Sequence, residues 1–397
     1  MSASLGSTAT VDLQAAWRQG AQALREGRAA EAVAAFEQIA AAGQSNAAVW
    51  IGVALARRQL GEADLAMAAV RRAAALEPRN LHALMLTADL HADAGDARAA
   101  TAYYDAVVRV GTAPGAAVAG FERELVRAQD KRERFGAFYE AHLRTALAPA
   151  GIDSADGRRV SRALELLLGK TELYLQQPKG FYFPELPNIQ FAERAIFSWL
   201  GAVEAATPAI RAEAMGVLEE DAAFEPYVQA EANRPFFDDH GMLGNPDWSA
   251  FYLIKGGRPM AENQARCPAT MAALEAAPLC RIPGRTPSIL FSLLRPGAHI
   301  APHHGFTNAR FICHLPLIVP DHCAMRVGSQ TRAWTEGQAC VFDDSIEHEA
   351  WNHNAEKLRV VMIFDIWRPE LTQAERAMVS TMLQAVDAYG GLPATDD

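Results

Sequence analysis

Residues 289–319 read ILFSLLRPGAHIAPHHGFTNARFICHLPLIV, and their pattern decides the fold class of this part of the chain. Ile289 to Leu294 and Ala309 to Val319 are short apolar runs, and Arg295-Pro296-Gly297 punctuates them as a turn. The texture continues downstream, where Ala324 to Val327, Ala339 to Phe342 and Leu358 to Trp367 each read as a strand. No stretch between Ile289 and Trp367 has the length and spacing of an ordinary helix. Short strands separated by turns predict a double-sheet β jelly roll.

Two histidines in this segment stand out by their settings. His303 lies in Pro302-His303-His304-Gly305-Phe306-Thr307-Asn308, and His348 in Asp343-Asp344-Ser345-Ile346-Glu347-His348-Glu349. Two neutral imidazoles brought together from distant strand ends can hold iron(II) and leave adjacent positions open. The position two residues after His303, where a facial triad has its carboxylate, is Gly305. In Leu358 to Asp365, alternation places Arg359, Val361, Ile363 and Asp365 on one face and Leu358, Val360, Met362 and Phe364 on the other. An arginine pointing between two sheets needs an anion: a bound carboxylate, or an internal partner such as Asp365. His304, Asp343 and Asp344 are alternative ligands, the two aspartates equally serving to fix the turn before His348. Trp334, Trp351 and Trp367 read as core, and Asp238-Asp239-His240 as an exposed loop.

The text from Ser292-Leu293-Leu294-Arg295-Pro296-Gly297 through Pro302-His303, Gly305, Thr307-Asn308 and His314-Leu315-Pro316-Leu317 resembles the aspartyl/asparaginyl β-hydroxylase family. So do Trp334-Thr335-Glu336-Gly337, Phe342-Asp343-Asp344-Ser345, Glu347-His348-Glu349 and the run from Leu358 to Leu371, with weaker similarity back to about Phe181. The resemblance implies an enzyme using Fe(II), 2-oxoglutarate and O2. It makes His303 and His348 the metal-binding, catalytic pair, and places Ser292, His314 and Arg359 around the 2-oxoglutarate. Animal members have an arginine where this chain has Ile312, and Arg310, on the same strand face, is the candidate to restore part of that charge. The implied reaction is β-hydroxylation of Asp or Asn in a peptide or protein. A free amino acid or acyl chain as substrate, a halogenase, and a non-catalytic adaptor are the alternatives.

Outward from this segment, the front of the chain is repetitive. Leu13, Ala47 and Leu81 begin three units with a spacing of 34 residues. Gly27, Gly61 and Gly95 share one position, Ala32, Ala66 and Ala100 another, and Phe36, Val70 and Tyr104 a third. Residues 13–114 resemble tetratricopeptide repeats, in which small residues let paired helices approach and bulky ones fill the gap to the next hairpin. Such repeats can hold a peptide, form a homodimer or cover another domain. Residues 115–179 read as a helical connector, with turns at Ala148-Pro149-Ala150-Gly151 and Ser154-Ala155-Asp156-Gly157, and residues 180–397 as the oxygenase domain, with a helix over Glu193–Leu218. The expected class is therefore a multidomain α+β chain, an α-helical solenoid followed by a double-stranded β-helix with flanking helices.

Composition bounds the remaining possibilities. Half of the 397 residues are hydrophobic and the net charge is −10, which disfavours nucleic acid and anionic membrane as partners. Met1 to Asp12 lacks the basic start and apolar core of a signal peptide, and no apolar run of membrane-spanning length follows. The five cysteines, Cys267, Cys280, Cys313, Cys323 and Cys340, show no paired spacing, which suits a reducing cytoplasm.

Overall fold

In the computed structural model, residues 12–116, 118–219, 224–229 and 241–389 are described, and the chain divides into two compact units, Met1–Lys170 and Thr171–Asp397. The Asp238-Asp239-His240 loop lies outside the described residues.

The first unit is a series of helical hairpins in register with the sequence repeat. Helices α1 (Leu13–Arg25), α3 (Ala47–Gln59) and α5 (Leu81–Asp93) begin at the three repeat starts, and α2 (Ala29–Ala41), α4 (Ala63–Leu76) and α6 (Ala97–Gly111) return. Gly27, Gly61 and Gly95 all have positive φ, 74–75°. Each closes its helix in a Schellman turn, with Arg28, Glu62 and Asp96 N–H donating to Ala23, Arg57 and His91 O. Phe36 is a wedge between hairpins. A Cβ on Gly20 or on Gly52 would come within 2.9 Å or 2.7 Å of its ring, so these glycines make room for it. Helices α7 (Glu122–Leu147) and α8 (Arg158–Leu167) follow, separated by the expected turns. No helix among the described residues is long and apolar enough to cross a membrane.

The second unit is built on two antiparallel sheets. The larger has the order β1 (Glu225–Pro226), β2 (Trp248–Lys255), β4 (Ile289–Leu294), β11 (Arg359–Trp367), β6 (Arg310–Ile318), β9 (Cys340–Phe342), with β3 (Arg258–Pro259) paired to β2. The smaller has the order β5 (His299–His303), β10 (His348–Asn352), β7 (Cys323–Val327), β8 (Gln330–Ala333). From β4 onward the chain passes back and forth between the sheets, apart from the β7–β8 hairpin within the smaller one, so strands distant in sequence become neighbours. Leu290, Ile312 and Val361 of the larger sheet pack with Ile300, Met325 and Ala350 of the smaller in one interlayer core. The outer face of the larger sheet, including Phe291, Leu315, Val360 and Phe364, is covered by α9 (Leu200–Ala205) and α10 (Thr207–Leu218). Both faces of β4, β6 and β11 are thus buried, which is why these strands are nearly continuous apolar runs.

Besides strands β5 and β10, which the sequence did not announce, three features depart from the sequence expectations. The helix expected over Glu193–Leu218 is a short 3-10 turn at Arg194–Ile196 followed by α9 and α10. Pro208 stands in the first turn of α10, where its missing N–H is tolerated, and it cannot continue the preceding helix. Strand β2, fully apolar from Phe251 to Ile254, adds to the larger sheet and was missed. Residues 171–179, assigned above to the connector, are extended and hydrogen-bond within the second unit.

Candidate active site

His303 is the last residue of β5 and His348 the first of β10, and the antiparallel register sets them opposite one another. Their ring centroids are 4.1 Å apart. Each Nδ1 faces a main-chain carbonyl two residues back in sequence, His303 to Ala301 O at 2.8 Å and His348 to Ile346 O at 3.0 Å. A carbonyl only accepts, so Nδ1 carries a proton in both rings. Burial, and secondarily the neighbouring His303, hold the His348 imidazole well below its ordinary pKa, so it stays neutral. Among the described residues, no group of three or more His, Cys, Asp or Glu side chains is placed to hold a metal. Position 305 shows why no carboxylate stands there: a Cβ on Gly305 would lie 2.1 Å from Asp344 Oδ2.

The facing sheet supplies a cation. Arg359, on β11, is 1% exposed and Ser292, on β4, is fully buried. Arg359 Nη2 donates to Ser292 Oγ at 3.0 Å, its Nε has no hydrogen-bond partner, and no carboxylate pairs with it among the described residues. The Trp334 ring lies 4.8 Å from its guanidinium carbon, a second role for a residue read as core. Burial lowers the Arg359 pKa to about 10, so the group remains charged at neutral pH. His314, on β6, is buried with Nδ1 unpartnered. Desolvation, then the charge of Arg359, push its pKa down to about 3. One cavity is lined by Ser292, His303, His314, His348 and Arg359. The buried guanidinium, with no carboxylate paired to it, fits a carboxylate ligand, and the two facing imidazoles fit a divalent transition metal.

Other residues resolve differently. Arg310 lines the same cavity, but its guanidinium is bracketed by Asp344 and Asp365, each at 3.0 Å. Asp365 is thus engaged with Arg310 rather than with Arg359. Asp343 is fully buried and receives Arg368 Nη1 at 2.7 Å. Ile312 is part of the interlayer core. Trp248 and Tyr227 had not been singled out. Their rings stack 4.0 Å apart on the cavity wall, and Trp248 Nε1 donates to Ser292 Oγ at 3.1 Å. The apolar run after Pro246-Asp247 was the available signal.

The second unit is thus a two-sheet sandwich enclosing two facing histidines from one sheet and a charged arginine from the other. Residues 204–369 match the model of the aspartyl/asparaginyl β-hydroxylase family. The chain is 36% identical over 195 residues to the ornithine lipid ester-linked acyl 2-hydroxylase of Rhizobium tropici, covering 47% of this chain and 63% of that one. It is 38% identical over 141 residues to the human aspartyl/asparaginyl β-hydroxylase, covering 35% of this chain and 18% of that one. It is 31% identical over 206 residues to human aspartate β-hydroxylase domain-containing protein 2, covering 51% and 53%. The chain therefore spans less than two thirds of each relative's length. Among solved structures, the TPR2B domain of yeast Sti1 superposes with a TM-score of 0.28 and 18% identity, over 31% of this chain and 96% of that one.

Proposed function

We propose that this protein is an Fe(II)- and 2-oxoglutarate-dependent hydroxylase of an Asp or Asn side chain in a peptide or protein, with residues 13–114 holding part of the substrate. The observation that carries this is the buried Arg359, without a carboxylate partner, in one cavity with two facing imidazoles. The repeated crossing of the chain between two sheets, broken by the β7–β8 hairpin, supports reading the sandwich as a double-stranded β-helix. His303 and His348 would hold the iron through Nε2. Arg359 and Ser292 would receive the distal carboxylate of 2-oxoglutarate, and neutral His314 would offer a hydrogen bond without adding charge. With iron, 2-oxoglutarate and O2 bound, such a centre converts a C–H bond to an alcohol while the oxoacid becomes succinate and carbon dioxide. The chain's own contribution is to hold the two rings face to face, keep His348 neutral by burial and bury the anion site.

A second reading is favoured by the Rhizobium tropici relative, whose name specifies acyl 2-hydroxylation. The test supplies full-length protein with Fe(II) and 2-oxoglutarate in air and offers Asp/Asn-containing peptides or an acylated aminolipid. Succinate and a peptide heavier by one oxygen atom support the first reading. An oxidised acyl chain with unchanged peptides replaces it with the second. No succinate under any condition removes both and leaves a binding module.

A further inference from the structure

Residues 174–192 precede the segment that matches the family and run along both turns that bear the candidate metal ligands. Gln177 N–H donates to Ser345 O at 2.7 Å, in the turn before His348. Lys179 N–H donates to Gly305 O at 2.9 Å, and Phe181 N–H to Phe306 O at 2.9 Å, in the turn after His303. The approach is close: a Cβ on Gly180 would stand 1.9 Å from the Phe306 ring. One side chain joins the turns directly. Gln176 Nε2 donates to Asp343 Oδ2 at 2.6 Å, and Gln176 Oε1 accepts from Asn308 Nδ2 at 2.9 Å. Both partners are fully buried. Asn308 is itself held by the strap, through Phe183 N–H at 2.7 Å and Phe183 O at 2.8 Å.

This bridge acts where the sheet does not. His303 and His348 each sit at a strand end, and the β5–β10 register shifts between His348 and Ala350. Ladder hydrogen bonds therefore reach the two histidines from one side; on the other, Gly305 N–H donates to Asp344 O at 2.7 Å, and Gln176 adds a side-chain tie beside that main-chain one. We propose that Gln176 is a positioning residue that sets the separation of His303 and His348, by tying the turn after one to the turn before the other. The proposal rests on reading those histidines as metal ligands. A metal held by two side chains depends strongly on the groups that orient them, and loss of such a group weakens affinity by about 10–100-fold.

The test uses full-length protein and Co(II), whose visible absorption reports coordination geometry. Gln176→Leu removes both of these hydrogen bonds, and with them the one that Nε2 donates to Pro187 O at 3.1 Å. Gln176→Glu keeps the side-chain volume and the contact with Asn308, but sets a carboxylate against Asp343. Both are expected to bind Co(II) at least ten-fold more weakly, with an altered visible band and an unchanged far-UV circular dichroism spectrum. In turnover, kcat should fall while KM for 2-oxoglutarate changes little, because Arg359 and Ser292 lie on the other sheet. Wild-type affinity and band shape in either folded variant overturns the positioning role; if Gln176→Leu fails to fold, Gln176→Glu decides. Loss of Co(II) binding in His303→Ala verifies the underlying metal assignment. Wild-type protein that binds no Co(II) overturns that assignment, and the role of Gln176 with it.

Discussion

Arg359 spends one hydrogen bond on Ser292, Nη2 to Oγ at 3.0 Å, and its fork is completed by no carboxylate among the described residues. A charged guanidinium buried in this way is costly unless an anion joins it. A charge-assisted contact of this type contributes roughly 1.5–3 kcal/mol. Arg359→Ala should therefore raise KM for 2-oxoglutarate about ten-fold or more. Arg359→Lys should not restore it, since a point charge lacks the planar fork. Steady-state kinetics at saturating substrate decide this, and an unchanged KM in Arg359→Ala would place the co-substrate elsewhere.

The histidine pair makes a separate prediction. His303→Ala and His348→Ala should each abolish stoichiometric Fe(II) binding and 2-oxoglutarate turnover, with little loss of helix or sheet signal. Anaerobic metal titration with circular dichroism is the measurement. Full activity in His348→Ala would refute the assignment.

Gly305→Asp looks from sequence like a way to supply the missing carboxylate, but the structure predicts a different result. The new Cβ would meet Asp344 Oδ2 at 2.1 Å, and Asp344 is held by Arg310 at 3.0 Å. Breaking a buried pair of this kind costs about 3–5 kcal/mol. The variant should unfold at markedly lower urea than wild type. Retained stability with tighter metal binding would show that Asp344 yields its place.

His314 makes stability depend on pH. Its folded pKa is pushed down to about 3, whereas an unfolded histidine titrates near about 6.5. Between those values the unfolded chain binds a proton that the folded chain does not. Stability is therefore lost as pH falls through that window, on the order of 1 kcal/mol per unit, and His348 contributes in the same direction. His314→Gln should narrow the difference between urea midpoints at pH 7 and pH 5. An identical difference in the variant would mean that His314 titrates alike in the folded and unfolded chains.

The repeats are tested by removal. If residues 13–114 hold a remote part of the substrate, their deletion should lower kcat/KM on the full peptide far more than it lowers substrate-independent consumption of 2-oxoglutarate. Equal efficiency on the peptide would leave homodimerisation or stabilisation as their role, and sedimentation of the two proteins would separate those.

The limits of legibility follow from particular residues. The hairpins were readable because Gly27, Gly61 and Gly95 must each take positive φ at the same phase. Strands β4 and β11 were readable to within a residue because burial of both faces leaves little but apolar side chains. The alternation in β11 also placed Arg359 on the face that meets the cavity. Strands β5 and β10 were not readable, because the residues that form the site, His299 to His303 and His348 to Glu349, replace the apolar pattern that betrays a strand. Sequence likewise could not tell that Arg310 would be engaged by Asp344 and Asp365, which are 34 and 55 residues away. The contacts of Gln176 span 132 and 167 residues of chain with no periodic pattern to announce them.

His303 and His348 project from one sheet, and Arg359, Ser292 and His314 from the other. Layers of this kind pack about 10 Å apart, and here the gap is set by Ile300 and Met325 against Leu290 and Val361. On the proposed reading the sandwich is a calliper: a diacid must reach from one jaw to the other with a carboxylate at each end. Selection for a five-carbon oxoacid over one a methylene shorter or longer then belongs to aliphatic packing rather than to any polar contact. Widening the jaws by a larger residue at 300 should shift the preferred chain length while every charged group stays as it is.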